Sequence, residues 1–143
     1  MIEIRLDGDP VAKGRHRHRL NAKTGKVFTH SDPKTARFED RLAWAAQVIM
    51  AGRPLLTGPL VVIVDAYRAV PASWSKKRQT AALSGELRPI TTPDWDNYGK
   101  IVDALNRVVW VDDSQIVDGR ARKFYSDRPR IEIRVDNLST PVL

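Results

Sequence analysis

The sequence predicts a single α/β (α+β) domain, a mixed β-sheet with two main helices, and three observations predict it. Residues 2–6 and 131–135 alternate apolar and polar side chains with the period of a half-covered strand. Residues 60–67, Leu60 through Tyr67, form a β-branched run too short for a comfortable helix and suited to a central strand buried on both faces. Phe38, Leu42, Ala45 and Ile49 recur at helical spacing inside residues 33–51. At 143 residues, the chain reads as one domain over residues 1–143, with length enough for a real core.

The elements follow in order. The strand at 2–6 and its counterpart at 131–135 are expected at the edges of the core or half-covering it. Residues 15–20 and 26–30 read as the arms of a basic hairpin, with Asn21, Ala22, Lys23, Thr24 and Gly25 as its turn. The first helix has Asp32 as N-cap, Pro33 in its first turn, and Gly52 and Pro54 to close it. Residues 70–92 are rich in Pro, Ser and charge and read as a loop with a short helix at 76–83. A second main helix is expected over 96–108, with Ile101, Leu105 and Val108 on one stripe and Asp96, Lys100, Asp103 and Arg107 on another. A strand at 116–125 completes the sheet, with no internal repeat.

Composition narrows the chemistry. The 24 Lys and Arg outnumber the 17 Asp and Glu, a net charge of +7, and there is no cysteine. Disulfides, thiolate zinc sites, iron–sulfur clusters and cysteine nucleophiles are thereby excluded, and any metal must use oxygen or imidazole. The first residues lack an apolar run of signal-peptide type, so a cytoplasmic protein is expected. The positive surplus suits a polyanionic partner, although it also serves solubility.

Charge runs the other way between residues 94 and 118, where Asp94, Asp96, Asp103, Asp112, Asp113 and Asp118 face only Lys100 and Arg107. Basic stretches flank this acidic one: Lys13, Arg15, Arg17, Arg19, Lys23 and Lys26; then Lys76, Lys77, Arg78 and Arg88; then Arg120, Arg122, Lys123, Arg128 and Arg130. Hard divalent cations want carboxylate oxygens, and a phosphodiester must be drawn to those carboxylates by surrounding positive charge. The bland alternative is that the acids cap helices and turns while the bases form a solvated face. Asp96 and Lys100, at i and i+4, share a helical face, and Asp94 precedes them by one extended step. Asp112 and Asp113 lie in the turn leaving the same helix. An EF-hand reading fails for want of an acid at the twelfth position, which is Leu105, and an aspartyl-phosphate phosphatase fails for want of a buried strand before Asp94.

Four pieces in this order resemble the RusA-type Holliday junction resolvases, small phage and prophage endodeoxyribonucleases. They are Pro93-Asp94-Trp95-Asp96-Asn97, then Lys100, then Asp103-Ala104-Leu105-Asn106, then Trp110-Val111-Asp112-Asp113-Ser114-Gln115-Ile116-Val117. Pro10-Val11-Ala12-Lys13-Gly14-Arg15 and the basic hairpin resemble the amino-terminal part of phage members. A lysine that many relatives carry before the Pro-Asp pair is Thr92 here.

The resemblance implies that Asp94, Asp96 and Asp113 bind metal, Mg²⁺ or Mn²⁺, that Lys100 is the essential lysine, and that Asp103 and Asp112 are supporting acids. It also implies a homodimer that binds four-way DNA junctions and leaves paired nicks. Water would then be the attacking group, activated by the metal. Lys13, Arg15, Arg17, Arg19, Lys76, Lys77 and Arg78 are the candidates for DNA-backbone contacts, and His16, His18 and His30 read as phosphate-side or solvated residues. Trp74 and Trp95 are expected in the core rather than stacked on a base, and the apolar edge at Trp44 and Val48, beside the main stripe of the first helix, is either a candidate dimer contact or a wider core-facing stripe. Two rivals stay open: a nuclease for another branched or flapped DNA, and a non-enzymatic DNA-binding protein working through the hairpin.

Overall fold

The structure is a computed structural model, and it describes residues 1–13, 17–20, 27–30 and 32–138, with the two short segments described as backbone only. The main sheet contains β1 (Ile2–Asp7), β4 (Leu60–Ala69), β5 (Ile116–Ser126) and β6 (Arg130–Asn137) in the order β1-β6-β4-β5. β6 runs antiparallel to both β1 and β4, whereas β5 runs parallel to β4, so the sheet is mixed as expected. β2 (Arg17–Leu20) and β3 (Val27–His30) pair antiparallel in a separate ribbon, with Arg17 opposite His30. The turn predicted at 21–25 lies outside the described residues.

Helix α1 (Pro33–Met50) starts where the sequence places it: Asp32 is extended and its Oδ1 accepts from the Lys34 N–H at 2.8 Å. Ala51 in the left-handed region (φ 48°) and Gly52 (φ 78°) end it. Its buried stripe is Thr35, Phe38, Leu42, Ala46 and Met50 rather than one through Ala45 and Ile49. Ala46 and Met50 continue the i, i+4 ridge begun by Phe38 and Leu42, which leaves Ile49 exposed together with Trp44 and Val48. This stripe packs on the sheet face formed by Ile2, Ile4, Leu60, Val62, Val64, Ile131, Ile133 and Val135. Each such fully buried aliphatic side chain contributes about 1.5–3 kcal/mol.

β1 lies at the sheet edge and β6, between β1 and β4, half-covers the core with Ile131, Ile133 and Val135 buried on one face, as the alternation implies. One strand expectation changes. β4 is central but covered fully on one face only, since Val61, Ile63 and Tyr67 are half-buried. Its second face carries a cross-strand row, Arg5–Glu132–Asp65–Arg122. Asp65 is the buried member, and Arg122 Nε and Nη2 donate to its two carboxylate oxygens at 2.6 and 2.7 Å.

Helix α2 (Lys76–Ser84) is capped by Ser75 and ends at Gly85 (φ 88°). The long helix expected over 96–108 is instead a short helix α3 (Trp95–Gly99) followed by a 3₁₀ turn, Lys100–Leu105. Trp110 explains the early end. It is fully buried, its Nε1 donates to Asn106 Oδ1 at 2.7 Å, and its carbonyl accepts from the Arg107 N–H at 2.6 Å. Serving that side chain turns Asn106 out of the helix and puts Arg107 at φ 64°.

Candidate active-site cleft

The acidic motif sits where β5 passes α3. The chain enters through residues 91–93, which Lys123 of β5 grips by donating from Nζ to the carbonyls of Thr91 and Pro93 at 2.7 and 2.9 Å. Asp94 is the N-cap of α3 yet makes no side-chain cap bond, so its carboxylate is not spent on the capping role that the bland reading assigned it. Asp96 lies in the first turn. Lys100 follows one turn later, its Nζ 3.7 Å from Asp96 Oδ2 and 3.4 Å from Asn97 Oδ1.

Asp113 opens a second 3₁₀ turn, Asp113–Gln115, which leads into β5. That turn is fixed from both ends. Asp112 Oδ2 accepts from the Ser114 N–H at 3.0 Å, Gln115 Oε1 accepts from the Asp112 N–H at 3.1 Å, and Gln115 Nε2 donates to the carbonyls of Leu56 and Gly58. Asp112 therefore does cap, and its hydrogen bonds from Ser114 hold its carboxyl below the usual range.

Asp96, Lys100, Asp103 and Asp113 line one cleft of ≈ 300 Å³, with Trp95 at its side. Small residues, Gly99, Gly119 and Ala121, line its floor, where a Cβ on Gly99 would meet Ala121 Cβ at an ordinary contact of 3.6 Å. A register shift between Leu60 and Val61 places Ile116 opposite Leu60 and Asp118 opposite Val61, a bulge at the edge of the cleft.

The acids in the cleft are not equivalent. Asp113 is pushed up, first by its hydrogen bond with the Asp103 carboxylate and then by burial and by the charges of Asp103 and Asp112. Burial pushes Asp103 up as well, but hydrogen bonds with Asp113 and Lys13 outweigh it and hold Asp103 below the ordinary carboxylate range. Lys13 Nζ lies 2.9 Å from Asp103 Oδ2 and 3.6 Å from Glu39 Oε1. Burial lowers the Lys13 pKa, yet the bond to Asp103 outweighs that and raises it. The Lys13 N–H also donates to the Asn97 carbonyl at 2.9 Å, stitching residue 13 to α3.

Of the residues singled out from sequence, then, Asp96, Lys100, Asp103 and Asp113 come together. Asp94 stands beside them without lining the cleft, and its charge faces Lys123. Among the described residues, no three Asp, Glu, His or Cys side chains stand close enough to hold a metal ion. Lys13, expected to face a nucleic acid, turns inward to Asp103 and Glu39 with its side chain 20% exposed. Lys76 and Lys77 are exposed at the start of α2. Arg15 and His16 lie outside the described residues, as do the side chains of Arg17, His18, Arg19 and His30. Neither of the two tryptophans in question is core: Trp95 is 60% exposed, and Trp74 is half-buried beneath Arg78. Glu39 was missed, and only its helical position opposite a distant lysine would have marked it.

A basic mixed α+β domain with an acid-lined, lysine-bearing cleft beside its parallel edge strand is the class of protein that fold and site define. A family model described as Endodeoxyribonuclease RusA matches residues 7–136, nearly the whole chain, and the chain belongs to that family. It is also similar to a protein of Bacillus subtilis (strain 168) described as uncharacterized protein YqaN, at 41% identity over 143 residues, covering 96% of this chain and 97% of the relative. No helix among the described residues is long and apolar enough to cross a membrane.

Proposed function

We propose that the protein is a Mg²⁺- or Mn²⁺-dependent endodeoxyribonuclease that resolves four-way (Holliday) junctions by paired, symmetric phosphodiester hydrolysis. The observation that carries this reading, beside family membership, is the convergence of Asp96, Lys100, Asp103 and Asp113 on one cleft in a chain otherwise strongly basic.

The donor set fits a hard divalent cation. It is all oxygen, and the Asp103–Asp113 contact brings together two carboxyls that need a proton or a cation between them. Asp94, Asp96 and Asp113 would hold the ion, which requires these side chains to rotate toward one another. When bound, it would polarise the phosphate and lower the pKa of a water. Lys100, already within 3.7 Å of Asp96 Oδ2, offers a point cation to the charge gathering on the phosphoryl oxygens. Lys13 keeps Asp103 anionic and in place. Asp112 supports the site by fixing the turn from which Asp113 projects.

Two incisions on strands of like polarity call for two such sites related by a two-fold axis, hence a symmetric homodimer, and Trp44 and Val48 offer an exposed apolar edge for it. The β2–β3 ribbon and the start of α2 supply backbone contacts that position the DNA. Incubation of the purified protein with labelled four-way junction, flap and linear duplex, in Mg²⁺, Mn²⁺ or chelator, tests the whole reading. Paired nicks on the junction alone, abolished by chelator and by Asp96→Asn, are expected. Cleavage of flaps as readily as junctions would move the substrate to another branched DNA, and no cleavage of any substrate would leave a binding protein.

A further inference from the structure

Of the four tryptophans in the chain, one stands in the cleft without a structural task. Trp110 is fully buried and bonded to Asn106, and Trp74 is half-buried, with Arg78 3.8 Å from its ring and Tyr125 edge-on at 5.2 Å. Trp44 is exposed on α1 and does not line the cleft. Trp95 does line it, and is 60% exposed. Among the described residues no second ring stacks on Trp95, no guanidinium covers it, and its Nε1 has no acceptor. A tryptophan is ordinarily held by burial of its ring and by a partner for its N–H, and neither accounts for this one.

Helix geometry fixes its neighbours. Trp95 and Gly99 stand one turn apart on one ridge of α3, and Asp96 and Lys100, 3.7 Å apart at Oδ2 and Nζ, stand on the adjoining ridge. The indole therefore sits beside the carboxylate and ammonium that face a phosphodiester. Helical side chains lean back over the preceding turn, so a side chain at position 99 would lie against the Trp95 ring. Glycine there leaves the ring uncovered. The cleft is also apolar in part: Val62, Val64, Val102 and Ile116 line it together with the acids. Carboxylates and a metal need no such floor, whereas the flat face of a nucleobase does. At ≈ 300 Å³ the cleft is at the lower end of small-molecule pockets, with room for one base and not for a duplex.

We propose that Trp95 is a base platform: its indole stacks on the nucleobase beside the scissile phosphate, a base free to turn outward only at a branch point. This deepens the nuclease reading and rests on it. Inside a continuous duplex, pairing holds each base and its neighbours cover both of its faces. At a branch point the stack is interrupted, and a base leaves it at least cost. Every base offers a π-face, so Trp95 selects for interrupted stacking and not for a sequence.

Binding of the full chain to a labelled four-way junction and to linear duplex of the same sequence, in chelator and across a series of salt concentrations, tests the platform. Trp95→Ala is expected to lose about tenfold in affinity for the junction and to bind the duplex as the wild type does. Its slope of log affinity against log salt should stay at the wild-type value, because a stacking contact releases no counterion. Trp95→Phe, which keeps a ring, should recover most of the loss, and Trp95→Leu, which keeps only bulk, should not. Tryptophan emission of the wild type should fall on binding the junction and fall less in Trp95→Phe, with circular dichroism confirming that each variant is folded. Junction binding by Trp95→Ala equal to wild type overturns the platform. So does an equal loss on junction and duplex, a shallower salt slope, full recovery by Trp95→Leu, or an emission change identical in Trp95→Phe. If the wild type cleaves junctions in Mg²⁺ while the platform fails these tests, the nuclease reading survives it. A junction-selective loss in Trp95→Ala, with no cleavage by the wild type in Mg²⁺ or Mn²⁺, supports the stacking and removes the nuclease reading.

Discussion

Replacing Lys13 by Met removes the cation that joins the amino-terminal segment to the cleft. The Lys13 and Glu39 side chains are each 20% exposed and Asp103 is 40% exposed, so the ion pair is partly shielded rather than buried. A hydrogen bond to a charged group is worth about 1.5–3 kcal/mol, and screening at Asp103 confines this one to the lower part of that range, about 1.5–2 kcal/mol. For a chain of this size that corresponds to roughly 5–8 °C in Tm. The loss has a defined pH window. Asp103 is depressed in the fold, so its contribution is present above the ordinary Asp pKa and disappears as pH falls through the depressed value. Lys13 is raised, so its contribution is present below the ordinary Lys pKa and disappears as pH rises through the raised value. Thermal melts followed by circular dichroism in chelator should show the full gap between wild type and Lys13→Met near neutral pH and a closing gap in acid, with Lys13→Arg retaining most of the stability. A gap below about 0.5 kcal/mol, or one that persists unchanged in strong acid, would refute the assignment of Lys13 to Asp103.

Asp65→Asn should destabilise by about 2–3 kcal/mol in urea titrations, because a side chain 5% exposed loses its pairing with Arg122, whose own 42% exposure tempers the cost. Trp110→Phe should cost about 1–2 kcal/mol by the same assay, leaving Asn106 Oδ1 without its donor while keeping an aromatic ring in the core. The depressed pKa of Asp112 gives stability that is present above the ordinary Asp value and lost as pH falls through the depressed one. Asp112→Asn should therefore flatten the acid limb of the stability profile, and an acid limb identical to wild type would contradict the cap.

Local signals carried much of this fold. Asp32, Pro33 and Gly52 bounded α1 because caps act through the adjacent backbone, and the β-branched run of β4 marked the middle of the sheet. Phe38 and Leu42 mark the buried face of α1 and Ala45 packs at its border, but Ile49 is exposed, since Ala45 and Ala46, then Ile49 and Met50, offer two adjacent apolar ridges and only the sheet decides between them. The break of the second helix was invisible because its cause, burial of Trp110 against Asn106, is a tertiary demand that overrides a sound helical stripe. In the cleft, Asp96 and Lys100 were legible from their spacing within one turn. The Lys13–Asp103 pair joins residues ninety positions apart, and no local pattern announces it.

The central claim is that the cleft carboxylates bind a divalent cation. Calorimetric titration of the wild type, Asp96→Asn and Asp113→Asn with Mn²⁺ measures it directly, with thermal melts as a second readout. Saturable binding by the wild type is expected, with a gain of about 2.7 kcal/mol in stability at a hundredfold excess over Kd, and both variants should lose at least about tenfold in affinity. Equal Mn²⁺ affinity and equal stabilisation in all three proteins would contradict it.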